Sequence, residues 1–173
     1  MKAVSNSSVL IALSSIGQLE LINQRFPDGV IIPQAVWKEV VETGIGRFGA
    51  EQVAKASWLT ILPVSNIALV SLLKLELDEG ESEAITLFIE QPRQAILLDE
   101  KSARRVAKQM NLPVLGTVGI LIWAKQNGLI PNLKEQLDSL QFVGKFRLSN
   151  LIYQEAIKKE IFTPSGIRIL SNI

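Results

Sequence analysis

At 173 residues, with 47% apolar and 20% charged side chains, the chain has an ordinary globular composition and enough length for one well-buried core, too little for two. Eighteen basic residues against seventeen acidic ones leave a net charge of +1, so there is no overall field of the kind that draws nucleic acid, and any such site must be a local patch. With neither cysteine nor histidine, disulfides, thiolate metal sites and imidazole chemistry are excluded, and carboxylates remain as the strong metal ligands.

Short runs rich in Val and Ile alternate with segments of helical period, which predicts an α/β fold built on a parallel sheet covered on both faces. The expected strands are residues 3–5, 30–32, 59–62, 95–98 and 114–115. Residues 7–26 read as one or two helices with Gly17 as the break. The apolar run at residues 9–16 follows a single lysine, is broken by Ser14 and Ser15 and lacks a cleavage pattern, so it is expected to be a buried helix rather than a leader. Pro33 suits the first turn of the next helix, which should end near Gly44. A glycine-rich loop at 44–49 precedes a short helix at 51–56. Ser65 is placed as the cap of a helix through Leu73, and Asp78 as the cap of another with Glu81 at the capping-box spacing. Helices are expected at 101–110 and 117–126, and a last one at 148–161 packing back on the body. No run nears the roughly 18 apolar residues of a membrane span, so a cytoplasmic protein with no membrane partner is expected.

Ligand crevices of open parallel sheets lie beyond the carboxyl ends of the strands, which directs attention to Asn6, Asp99 and Gly116-Thr117, each just after a strand run. Glu39, Glu81 and Glu83 lie on helices that reach the same end. Clustered carboxylates repel one another unless a divalent cation neutralises them, and Mg²⁺ or Mn²⁺ suits an all-oxygen site that keeps waters for a phosphate to replace. The chemistry that follows is phosphodiester hydrolysis. Each residue also has a plainer role. Asp99 is at a place for a turn or cap, Glu81 and Glu83 suit the positive end of a helix dipole, and Glu39 fits a solvated helix face. Lys101, Arg104 and Arg105, on the helix after Asp99, are candidates for phosphate contacts, and Lys38, Arg47 and Lys145 for a wider basic rim. Aromatic residues make up only 6%, which argues against a broad base-stacking platform. Trp37, Trp58 and Trp123 suit either the core or an interface. The chain has no G-x-G-x-x-G and no phosphate-loop lysine, which disfavours a nucleotide-binding domain.

In order, the stretches VSNSSVLIALSSIGQLELI, VIIPQAVWKEV, LDEGESEAITL, AILLDEKSARRVA and LPVLGTVGILIWAKQNGLI, with FRLSNLIYQEAI near the end, resemble the successive motifs of the PIN-domain superfamily. The closest likeness is to its toxin-like prokaryotic branch. The resemblance implies one PIN-like domain over residues 1–173, with a core at 1–130 and a C-terminal helical extension at 131–173. It implies a three-layer α/β/α fold with a five-stranded parallel sheet, and a pocket holding Mg²⁺ or Mn²⁺ for RNA cleavage. Carried over position by position, it places the first acidic position at Asn6, the second at Glu39, the third at Glu83 with Glu81 as neighbour, and the fourth at Asp99. Glu100 is an extra ligand candidate, and Thr117 stands where a polar residue lies near the metal. Glu39, Glu83 and Asp99 are then the catalytic acids. Such proteins are commonly homodimers and often pair with an antitoxin. Asn6 departs from the superfamily's aspartate, and an amide oxygen coordinates a hard cation without bringing charge. Two functions follow: a metal-dependent endoribonuclease, or a catalytically weakened fold that binds RNA or a protein.

Overall fold

A computed structural model describes residues 1–161. Its strands β1 (Ala3–Ser5), β2 (Val30–Pro33), β3 (Leu59–Leu62), β4 (Ala95–Leu97) and β5 (Val114–Leu115) form one sheet in the order β3-β2-β1-β4-β5, with every neighbouring pair parallel. Side chains alternate across a strand, and this alternation divides the core in two. Ala3, Val30, Ile32, Ala95 and Leu97 pack on one face, while Val4, Ile31, Ile96 and Leu98 pack on the other. Against the first face lie α1 (Ser7–Ser15), α2 (Glu20–Arg25), α8 (Thr117–Gln126) and α9 (Leu133–Phe142), through residues such as Leu10, Ile22, Leu121 and Leu137. Against the second lie α5 (Ile67–Leu73), α6 (Glu79–Glu90) and α7 (Lys101–Gln109), through Leu73, Ile85, Leu87 and Ala103. The layers are therefore helix, sheet, helix.

Five strands were expected and five form. The β4 ladder stops one residue earlier than expected, at Leu97, and Pro33 closes β2 with extended backbone instead of opening the helix behind it. Gly17 breaks α1 from α2 with φ +70°, a conformation costly for a residue with a Cβ. The helix after Pro33 begins regularly as α3 (Gln34–Trp37) and then widens into a π-helical turn, Lys38–Glu42. Thr43 secures that turn, its N–H and hydroxyl donating to Lys38 O at 2.8 and 3.1 Å and its hydroxyl to Glu39 O at 3.0 Å. A short α4 (Ala50–Lys55) follows the glycine-rich loop.

The cap of α5 is Asn66, not Ser65: Asn66 Oδ1 accepts from Leu69 N–H at 3.0 Å, while the N–H groups of Ser65 and Asn66 turn to Glu90. An amide oxygen one residue further along reaches the free N–H of the third helical residue, which makes it the better-placed cap. Asp78 and Glu81 form the expected reciprocal capping box. Helix α9 lies within the expected helical extension at 131–173, where Asn132 caps it through Glu135 N–H and its leucines at 133, 137 and 140 are fully buried. The last helix, α10 (Asn150–Ile161), starts two residues after the expected point and packs on α8 and α9 around buried Ala156. Of the expected C-terminal extension, residues 162–173 lie outside the described residues. No helix among the described residues is long and apolar enough to cross a membrane.

Candidate active site

The chain runs β1 to β2 to β3 towards one edge and then jumps to β4 on the other side of β1, so the connections diverge between β1 and β4. A crevice opens at such a point, beyond the carboxyl ends of the two strands. Ser5 is in register with Leu97, and the next amide, Asn6 N–H, donates to Leu97 O at 3.1 Å. That bond seats Asn6, buried at the start of α1, at the mouth of the crevice, where Ser7 Oγ donates to its Oδ1 at 3.4 Å.

Across from Asn6, the π-helical turn presents Glu39, and α6 begins with Gly80. A Cβ at Gly80 would stand 3.2 Å from Glu39 Oε2 and 3.3 Å from Asn6 Oδ1, so both oxygens converge on the bare face of this glycine. Partial burial raises the Glu39 carboxyl above the ordinary carboxylate range, opposed by a hydrogen bond from Ser7 and reinforced by the charge of Asp78. Behind it lies Glu81, only 3% exposed, its Oε2 accepting from Asp78 N–H at 3.2 Å. Burial pushes Glu81 up to about 7, with the charges of Asp78, Glu100 and Glu39 adding to the shift. The charges of Glu39, Asp78 and Glu81 thus act on one another at this end of the crevice, without closing on a single point. Glu81 and Glu83 diverge, because two residues on a helix are turned by roughly 200°. Glu83 points to α3, where its Oε2 accepts from Ala35 N–H at 3.0 Å and satisfies a free donor at that helix start.

On the β4 side the chain holds Asp99 firmly. Its Oδ1 accepts from Thr117 N–H at 2.8 Å and its Oδ2 from the Thr117 hydroxyl at 2.6 Å, with Thr117 itself fully buried. Burial raises the Asp99 carboxyl, while the two Thr117 hydrogen bonds and the neighbouring Arg104 pull it down. Arg104 Nη1 donates to Leu98 O at 2.9 Å, and a Cβ at Gly116 would meet that nitrogen at 2.7 Å and Asp99 Oδ1 at 2.9 Å. Glu100, exposed, follows directly.

Of the expected basic contacts, Arg104 is turned inward beside Asp99, Arg105 pairs with Glu76 at 2.6 Å, and Lys101 is exposed on the first turn of α7. Trp37, Trp58 and Trp123 are all half-buried against the first core, and Arg25 lies over the Trp123 ring at 5.3 Å. Ser7 and Gly80 join the positions named from the sequence, and Gly116, expected beside Thr117 at the end of β5, leaves room for Asp99 and Arg104. The signal for Gly80 was its place among acidic residues at a helix start, in D-E-G-E.

These donors suit a hard cation. Asn6 Oδ1 and Glu39 Oε2 converge without a Cβ between them, and burial has already strained the surrounding carboxylates in the direction a cation would relieve. Among the described residues, however, no three acidic side chains gather closely enough to form a metal cage. The fit is to a cation held by one or two carboxylates with waters completing its shell, as Mg²⁺ commonly is. Comparison with known families gives a match to DUF3368, described as PIN domain, over residues 2–160. No curated protein matches the chain.

Proposed function

Since the chain belongs to the PIN-domain family, a superfamily of nucleases, we propose that it is an endoribonuclease dependent on Mg²⁺ or Mn²⁺ that hydrolyses RNA phosphodiesters at the crevice between β1 and β4. PIN domains generally use divalent metal ions. The observation that carries the reading is the convergence of Asn6 Oδ1 and Glu39 Oε2 on Gly80, at the place where the topology opens the sheet.

In this reading Glu39 and Asp99 are the charged ligands and Asn6 the neutral one. A bound ion supplies an activated water and offsets the charge developing on the phosphate. Thr117 fixes the direction of both Asp99 oxygens, and Ser7 holds Asn6 Oδ1 towards the crevice. Glu83 anchors the start of α3, the helix whose π turn carries Glu39. Glu81, titrating near neutral pH, takes up a proton at its carboxyl as pH falls and so reduces the negative charge that faces an incoming phosphate. Glu100 adds a further exposed carboxylate, and Lys101 a cation, at the β4 rim.

The same reading extends to a cytoplasmic toxin of a toxin-antitoxin pair acting as a homodimer, supported by the likeness of the quoted motifs to the toxin-like branch. A second reading, an RNA- or protein-binding fold with weakened catalysis, is favoured by the uncharged amide at Asn6 and by the absence of a three-acid group among the described residues. Cleavage of mixed single-stranded and structured RNA in Mn²⁺, with an EDTA control, separates the two. The ribonuclease reading expects cleavage by the natural chain and a loss of roughly 100-fold or more for Asp99→Asn. Cleavage by Asn6→Asp alone would establish the second.

A further inference from the structure

Beside Glu39, away from Asp99, an open groove of about 1000 Å³ runs between α1, the π-helical turn and the 44–49 loop. Its floor is apolar, with Ile11 and Val40, and its outer lip carries Ile45 and Phe48, which are 80% and 50% exposed. Single exposed apolar side chains are ordinary, but two gathered at the rim of an apolar-floored groove form a patch of the kind that marks a binding site. The lip is a built structure. A Cβ at Gly44 would stand 2.1 Å from Val40 O, so only glycine lets the loop fold this tightly onto the π-helical turn, and Arg47 N–H closes the bend on Gly44 O at 2.9 Å. Gly49, at φ +94°, turns the chain out of the loop into α4.

Glu39 lines this groove and also reaches the cradle above Gly80, so the groove opens directly into the candidate active site. Its one cation among the described lining residues is Arg47. A flat aromatic ring, a β-branched neighbour and a guanidinium on one lip match the three parts of a nucleotide in turn: base, sugar edge and phosphate.

We propose that this groove is a nucleobase subsite, in which Phe48 and Ile45 hold one unstacked base of single-stranded RNA and Arg47 takes the adjoining phosphate; the proposal rests on the ribonuclease reading above. A base seated there leaves its neighbouring phosphodiester at Glu39, so the subsite selects which bond in a strand is presented. One ring holds one base, which agrees with the scarcity of aromatic residues.

The test is binding of fluorescently labelled single-stranded RNA by anisotropy in EDTA, where cleavage is silent, with the natural protein, Phe48→Ala, Phe48→Tyr and Arg47→Gln. Phe48→Ala should weaken binding about tenfold and Phe48→Tyr restore it. Arg47→Gln should reduce the slope of log affinity against log salt by about one. In a series of oligonucleotides each lacking one base, one position should cost the natural protein about tenfold and Phe48→Ala nothing further. Equal binding by Phe48→Ala, no favoured position in the series, or no RNA binding by the natural protein would each overturn the subsite; a lip that serves a protein partner gives the first two. The same samples moved into Mn²⁺ read the parent proposal separately. RNA bound through Phe48 yet left intact defeats the ribonuclease and keeps the subsite, whereas cleavage unaffected by Phe48→Ala does the reverse.

Discussion

Asp99 and Glu39 flank one crevice and are held in opposite ways. Both oxygens of Asp99 accept hydrogen bonds from Thr117, so its direction is set by the sheet and the start of α8. Glu39 is exposed on a π-helical turn, which Thr43 secures through the turn's backbone oxygens and not through the Glu39 carboxylate. Extra-wide turns of this kind are rare and occur frequently at functional sites. One wall of the site is therefore set by hydrogen bonds to the carboxylate itself, the other by the backbone of the turn that carries it.

Thr117→Val breaks the comparison at its rigid end, with the largest expected effect. It keeps the side-chain volume while removing the buried hydroxyl on Asp99 Oδ2. Stability should fall by about 2 kcal/mol in denaturant titration, and Mn²⁺ affinity, read by calorimetry, by about 10- to 100-fold. If affinity is unchanged, Asp99 does not depend on Thr117 for its direction.

The carboxylate corner behind Glu39 sharpens it through pH. Glu81 has an ordinary value of 4.5 and stands at about 7 in the fold. Below pH 4.5 it is protonated whether folded or unfolded and contributes nothing. Between the two values the folded form keeps a proton that the unfolded chain has released, so stability falls as pH rises, and above pH 7 the penalty is complete. Metal-free protein in EDTA should lose on the order of 1 to 2 kcal/mol between pH 5 and pH 8. Glu81→Gln should flatten that dependence, and an unchanged slope would remove Glu81 from its cause.

The smallest structural effect belongs to Gly80→Ala. The added methyl intrudes on the converging oxygens of Asn6 and Glu39, while alanine favours the helix by up to about 1 kcal/mol. Mn²⁺ affinity should fall about tenfold with the melting temperature unchanged or higher. A fall in both would mean that Gly80 is needed for packing and not for the cradle.

What the sequence made legible was local. Strand runs, the Gly17 break and the Asp78-Glu81 capping box depend on residues near one another in the chain, and each forms where expected, to within one residue at the ends of β2 and β4. The choice of Asn66 over Ser65 turned on a difference of one residue in reach. Helix α9 falls inside the extension expected to be helical, and its bounds turn on the Asn132 cap and the buried leucines at 133, 137 and 140. The site was legible as a set of positions but not as an arrangement. Nothing in G-E-S-E tells which glutamate faces the crevice, since that depends on where α3 lies against α6. Gly80 and Gly116 matter through the space they leave, which only the assembled fold defines. The Phe48 lip likewise arises from the contact of a loop with a π-helical turn, a backbone irregularity without a sequence signature.

The pairing of β1 with both β2 and β4 has a consequence for the chain as it is made. Asn6 and Glu39 emerge from the ribosome early, but Asn6 is anchored to Leu97, and Asp99 has no fixed direction until Thr117 follows it. Parallel pairings between distant segments form late in folding. A growing chain therefore carries half a site until β4 and β5 zip on, and only then can Asn6, Glu39 and Asp99 flank one crevice.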